Sequence, residues 1–156
     1  LPDHIRMAAG EERFESWTML AAIASITSKA RLHHLVLNNA LRHPPWLAKA
    51  AATVDHVSRG RFTLGIGAGY AKEELESYGY PFPPPSTRIA QLDEAITLIK
   101  KMWTEDHPTF KGKFYTINDA TCDPKPLQKP HPPVLVGGSG PRLLKVAAKH
   151  ANIVNF

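Results

Sequence analysis

Two glycine-rich stretches are where residue type and spacing in this chain could do chemistry. The first is Gly60-Arg61-Phe62-Thr63-Leu64-Gly65-Ile66-Gly67-Ala68-Gly69-Tyr70, in which Phe62, Leu64 and Ile66 read as a buried strand that opens straight into glycines. Glycines at a strand end remove the side chains that would keep a flat ligand or a phosphate away from the backbone. The Gly-x-Gly-x-Gly spacing is one residue off the dinucleotide fingerprint, and no helix begins directly behind it, so a ligand site and a tight turn both stay open. The second stretch, Gly137-Gly138-Ser139-Gly140, lies before a helical pattern that starts at Pro141. Backbone N–H groups ahead of a helix N-terminus attract anions, and the alternative is a plain strand-to-helix loop. Other chemistry has less support. His33-His34 and His43 have no Cys or His partner at ligand spacing, so no metal site is expected. Ser139 has no base nearby in sequence, which argues against nucleophilic catalysis.

Elements with a regular alternation must position these stretches. Trp17, Leu20, Ala21, Ala24 and Ile26 recur at helical spacing from Ser16 to about Thr27-Ser28-Lys29, and the apolar run Leu32 to Leu37 reads as a strand ending in Asn38-Asn39. Pro44-Pro45 opens a second helix with Leu47, Ala50, Ala51, Val54 and Val57 on its buried stripe, stopped at Ser58-Arg59-Gly60 before the glycine-rich strand. Ala71 to Gly79 could form a short acidic helix, and Tyr80-Pro81-Phe82-Pro83-Pro84-Pro85 is a rigid connector. A helix capped by Ser86 or Thr87 follows, with Ile89, Leu92, Ile96, Ile99 and Trp103 on one face. Between Thr104 and Pro133 the periodicity fails: Lys111-Gly112-Lys113 suggests a hairpin turn, and five prolines from Pro124 to Pro133 keep the chain extended. Val134-Leu135-Val136 is the next strand, Pro141 to His150 a helix, and a further strand starts at Asn152. Strands alternating with helices over short links indicate parallel strands joined by helical crossovers, an α/β fold in a single domain over residues 1–156.

Composition narrows the function classes. The chain has 156 residues, 43% of them hydrophobic and 21% charged, which fits a globular protein rather than a disordered one. Its formal charge of +5 comes from basic residues scattered along the chain, with no basic block interleaved with aromatics, so nucleic-acid binding is not expected. An anionic small molecule suits a mildly basic surface equally well. No apolar run approaches the ~20 residues of a membrane helix. The lone Cys122 makes no internal disulfide, and a reducing cytoplasm is the expected location. The opening Leu1-Pro2 and the strand-like close at Phe156 are expected of the middle of a longer protein.

Five pieces, in order, resemble a known family. They are Pro2-Asp3-His4, Arg42-His43-Pro44, Ser58 through Gly69, Tyr78-Gly79-Tyr80-Pro81-Phe82-Pro83, and Lys125-Pro126-Leu127-Gln128-Lys129-Pro130-His131-Pro132-Pro133-Val134. Together they resemble the luciferase-like flavin oxidoreductases, and more closely the branch that uses the deazaflavin coenzyme F420. That resemblance implies a TIM barrel with the cofactor at the C-terminal strand ends, of which this chain would supply a part, from about the end of strand 2 to the start of strand 6. A complete barrel takes about 250 residues. Such a part, with open edge strands, is expected to fold poorly on its own.

Residue by residue, the resemblance places His4 beside the redox ring, with Asp3 in the same strand-end pair. Histidine suits that place because it exchanges a proton close to neutrality. The resemblance places Asn38 against the ring and implies a non-proline cis peptide near Leu35-Val36, bulging against the ring's back face. It gives Gly67, Ala68 and Gly69 to the cofactor's approach, and Gly137, Gly138, Ser139 and Gly140 to its phosphate. Where the sugar-phosphate dehydrogenases of the branch carry a proton-donating glutamate, this chain has Tyr70, with Glu73 and Glu74 on the following turn. A less polar organic substrate is therefore expected, with Tyr70 in a catalytic position. Trp46 and Trp103 read as structural. Three functions remain open: hydride transfer with F420, oxygen-using monooxygenation with FMN supplied by a reductase partner, and a non-catalytic cofactor-binding barrel. A homodimer is the expected assembly.

Overall fold

The computed structural model describes residues 1–6 and 12–156. Helix α1 (Ser16–Ile26) leads to a strand broken into β1 (Leu32–His33) and β2 (Leu37–Asn38), then to a 3₁₀ turn (Asn39–Leu41), α2 (Pro44–Val57) and β3 (Phe62–Gly67). After these come α3 (Lys72–Ser77), α4 (Pro85–Thr104), a hairpin of β4 (Phe110–Lys111) and β5 (Thr116–Ile117), β6 (Val134–Gly137), α5 (Pro141–His150) and β7 (Ile153–Asn155).

The main sheet is parallel throughout. β1 and β2 both pair with β3, which pairs with β6, which pairs with β7. All six residues of β3 are buried, as a parallel strand covered on both faces requires. This right-handed β/α succession forms an arc of a (β/α)₈ barrel, with the helices outside and the strand C-termini on one rim.

The core lies between the sheet and the helix layer. Phe62, Leu64 and Ile66 of β3 meet Leu47 and Ala51 of α2 and Leu92, Ile96 and Ile99 of α4. Trp103, at the end of α4, is buried and donates from Nε1 to the Ala48 carbonyl (2.9 Å), which ties α4 to α2. Asp55 of α2 fastens the proline-rich return to the sheet by accepting from the Gln128 backbone N–H (3.0 Å) and side-chain amide (2.7 Å).

Several local expectations need correction. The strand expected over Leu32 to Leu37 is interrupted, because the Leu35–Val36 peptide is cis and its bulge leaves the ladder. Helix α4 begins at Pro85 rather than behind a Ser86 or Thr87 cap: proline's fixed φ suits the first helical turn, and no side chain caps it. The hairpin turn spans residues 112–115, where the Glu94 carboxylate accepts from the Lys113 and Phe114 N–H groups. Ile26 and Trp46, 84% and 56% exposed, stand outside the core despite their apolar character.

Candidate functional site

The rim at the strand C-termini encloses a cleft of about 660 Å³. Four segments line it: residues 2–4, 35–38, 67–71 and 137–139, with Arg88 and Ile89 reaching in from α4. His4, Asp3, Tyr70, Leu35, Val36, Asn38, Gly67, Ala68, Gly69, Gly137, Gly138 and Ser139 therefore share one wall system, although the chain separates them by up to 136 positions. Gly140 stands just beyond it as the N-cap of α5.

Parallel register builds the floor. Asn38 pairs with Gly67 and Gly67 with Gly137, so three strands end level with one another. Val36 points from the cis bulge between the last two. A Cβ on Gly67 would lie 2.8 Å from Val36 Cγ2, and one on Gly137 would lie 2.6 Å from Val36 Cγ1. These two glycines thus make room for Val36, while Leu35 and Ala68 present apolar surface to the cleft. Such a floor can carry a flat ring.

The polar wall is a linked set. His4 Nδ1 lies 2.8 Å from Glu74 Oε2, and its Nε2 lies 3.2 Å from the Tyr70 hydroxyl. Glu74, buried on α3, also accepts from the backbone N–H groups of Ile5 (2.5 Å) and Arg6 (3.0 Å). Burial pushes its pKa up, but the Arg6 N–H, His4 and the Ile5 N–H outweigh that and hold it below the ordinary glutamate value. Glu74 is therefore an anion near neutrality and accepts from Nδ1–H, which fixes the tautomer of His4. Sequence reasoning noted Glu74 only as a nearby carboxylate; Tyr70 precedes α3, so no helical spacing relates the two, and only the fold brings both beside His4.

Asp3 sits behind this set. Its carboxylate accepts from Arg42 Nη1 (2.7 Å) and Nη2 (3.0 Å), the Ser16 hydroxyl (2.6 Å) and the Asn38 backbone N–H (2.9 Å). Burial opposes its ionisation, yet Arg42 and these donors prevail and hold the carboxyl below its usual range. Arg42 reaches on to Glu15 Oε1 (2.7 Å). The ion pair thereby clamps β2 to the start of α1 and holds the loop that carries His4.

The opposite end of the cleft suits an anion. No side chain caps the N-terminus of α5, and Gly138 and Gly140 have φ of +125° and +93°, a conformation glycine adopts freely. Arg88 faces both this cleft and a neighbouring pocket. It is 9% exposed, and among the described residues it meets no carboxylate, while its Nε has no hydrogen-bond partner. Nothing in the sequence pattern marked it, because it falls at a buried position of an amphipathic helix. An apolar floor and an uncapped helix end together fit a flat heterocycle with a phosphate.

Comparison with known proteins gives concordant results. The sequence profile described as luciferase-like monooxygenase matches residues 1–155. The chain is 39% identical over 128 residues to an F420-dependent glucose-6-phosphate dehydrogenase of Kineococcus radiotolerans, covering 81% of this chain and 37% of that protein. It is 35% identical over 142 residues to an FMNH2-dependent dimethylsulfone monooxygenase of Pseudomonas putida, covering 86% of this chain and 38% of that protein. In three dimensions it resembles the coenzyme F420-dependent tetrahydromethanopterin reductase of Methanopyrus kandleri with a TM-score of 0.84 and 27% identity, over 98% of this chain and 45% of that one. The chain spans about two fifths of the length of these curated relatives. With the profile matched along almost all its residues, and with relatives that act with either F420 or reduced FMN, the chain belongs to the luciferase-like monooxygenase family.

Proposed function

We propose that the full-length protein is an oxidoreductase that binds F420 in this cleft, with the ring on the Leu35-Val36 bulge and the phosphate at residues 138–140, ahead of α5. Bound there, a deazaflavin would give a hydride to an organic substrate or take one from it. The observation that carries this reading is the His4–Glu74 pair at the mouth of a cleft with an apolar floor and an anion-binding end.

The residues divide the work. Glu74 holds Nδ1–H of His4, so Nε2 carries the lone pair; it takes a proton from a substrate oxygen once the Tyr70 hydroxyl turns aside and, once protonated, returns it. The Tyr70 hydroxyl donates to Nε2 and orients it; it occupies the place where the sugar-phosphate enzymes of the branch carry glutamate, which favours a less polar substrate. Asp3 acts as a positioning residue, since its oxygens are committed to Arg42, Ser16 and Asn38. The bulge and Asn38 shape the ring's seat, Gly67 and Gly69 make room for the Val36 and Asn38 side chains that form it, and Ala68 lines the cleft beside it.

Titrating the full-length protein separately with F420 and with FMN, and following the fluorescence of each, tests the reading. Micromolar F420 binding with weaker FMN binding is expected. The similarity to the Pseudomonas putida enzyme favours a second reading, an FMN-dependent monooxygenase supplied by a reductase. Tighter FMN binding together with substrate-dependent oxygen consumption would select it. Failure to bind either cofactor would leave a non-catalytic barrel.

A further inference from the structure

Next to the cleft is a second pocket of about 280 Å³, which the redox reading leaves unused. The 3₁₀ turn and His43, the loop at Tyr80–Pro83, the inner face of α4 and Tyr115 of the hairpin turn wall it. Ala68 and Arg88 line both spaces, so the pocket lies beside the cleft rather than on a remote face.

Its polar groups are unbalanced in two ways. Among the described residues no carboxylate lines it, while Arg42, His43 and Arg88 all do. Arg42 is neutralised by Asp3 and Glu15, which leaves Arg88 as the guanidinium without a counter-charge. Arg88 donates from Nη1 to the Pro83 carbonyl (2.6 Å) and stacks 3.8 Å over the Phe82 ring, and its Nε is unpaired. Asn39, 5% exposed, donates from its amide to the Tyr115 hydroxyl (3.2 Å), and its Oδ1 is unpaired. Both unpaired atoms are shut off from solvent in this arrangement, so water does not satisfy them. A buried donor without a partner is costly, and the Arg88 Nε–H on this pocket wall marks a place that an anionic ligand would complete.

The geometry selects the kind of anion. Helix α2 starts beside the pocket, but its first two residues are Pro44 and Pro45, which have no N–H to offer a phosphate. Recognition then rests on side-chain donors: the planar fork of the Arg88 guanidinium and the amide N–H2 of Gln91. Planar forks match a carboxylate. We propose that this side pocket binds the carboxylate of an organic molecule that extends out of the cleft past Ala68, with Arg88 turning from the Pro83 carbonyl to meet it. The proposal stands on the pocket and does not depend on which cofactor fills the cleft.

Saturation-transfer NMR on the full-length protein, with acetate and its neutral isostere acetamide as probes, tests it. Acetate should bind saturably in the millimolar range and acetamide at least tenfold more weakly. Gln91→Glu, a change that a half-buried helix position accommodates, should weaken acetate at least tenfold while the melting temperature stays within a few degrees. Equal binding of the two probes, no saturable binding of acetate, or acetate binding indifferent to Gln91→Glu would overturn the proposal. Repeating the titration with F420 present, whose tail carries carboxylates, separates the sources. Displacement of acetate assigns the carboxylate site to the cofactor's tail, and retention assigns it to the substrate; either result upholds the site.

Discussion

Of the histidine–carboxylate pairs among the described residues, two have a buried or half-buried ring, comparable hydrogen bonds and very different surroundings. His4 Nδ1 lies 2.8 Å from Glu74 on the rim, and His150 Nε2 lies 2.5 Å from Asp93 between α5 and α4. Around His150 the ring itself is enclosed: it is buried against the helix layer, Lys149 shares Asp93 (2.9 Å), and Lys100 donates to the His150 carbonyl (2.8 Å). Around His4 the second nitrogen turns to the Tyr70 hydroxyl at the edge of the cleft. A histidine beside a carboxylate is therefore not a site in itself. What the other ring nitrogen can reach decides whether the pair moves protons or joins two helices.

The sharpest way to break that contrast is to delete each ring. His4→Ala in the full-length protein is expected to lower kcat by about 10²–10⁴-fold, the range lost with a general acid or base, and to leave the melting temperature within a few degrees. His150→Ala is expected to do the reverse, keeping kcat within about twofold while costing about 1–3 kcal/mol through the lost hydrogen bond to Asp93 and the lost packing. Steady-state kinetics and chemical denaturation of the two variants check this. Equal losses of activity would show that the rim pair has no special role.

A third histidine sharpens the comparison by having no carboxylate at all. His34 is fully buried, stacks on Trp17 with ring centroids 5.1 Å apart and donates from Nε2 to the Ser16 carbonyl (3.1 Å). Burial lowers its pKa to about 4. Above pH 6.5 the ring is neutral folded or unfolded and has no effect on the balance. As pH falls from 6.5 towards 4 the unfolded chain takes up a proton that the folded chain refuses, so stability drops, by about 3 kcal/mol at most. Urea midpoints between pH 7.5 and 4 should show that decline, and His34→Gln should flatten it. An unchanged slope in the variant would remove His34 as its source.

Sequence reasoning reached the alternation, the parallel sheet and both glycine turns, because β3 carries Phe62, Leu64 and Ile66 at alternate positions and the helices carry stripes at helical spacing. It could not see what the glycines of the rim face. Gly67 and Gly137 looked like room for a ligand, whereas the side chain they accommodate is Val36, brought in by a bulge whose cause is non-local. Arg88 and Asn39 escaped notice for a related reason. Each sits where a pattern expects core or turn, and only the fold shows that its polar end lacks a partner. Glu74 lay in plain view, but its link to His4 spans 70 residues.

Removing the carboxylate rather than the ring has a smaller expected effect. Glu74→Gln should lower kcat about 10–100-fold with KM changed less than threefold, as expected for a residue that orients the group doing the chemistry. Glu74→Asp should recover part of the loss. At the sealed pair, Asp93→Asn should alter stability alone. A Glu74→Gln variant with full kcat would mean that the tautomer of His4 does not matter to the reaction.

The smallest effect is expected at Tyr70, and it decides between two orders of proton transfer. Its side chain is 77% exposed, touches the His4 ring edge-on at 5.6 Å between centroids, and holds Nε2 with a 3.2 Å hydrogen bond. A hydrogen bond so open to solvent contributes about 1 kcal/mol, so Tyr70→Phe should cost about fivefold in kcat. A loss as large as that of His4→Ala would reverse the assignment: the phenol would then be the group that meets the substrate oxygen, with His4 behind it as the base that Glu74 holds in place. Measuring the two variants side by side on one substrate separates these cases, because an orienting hydroxyl and a proton donor differ by at least tenfold in what their removal costs.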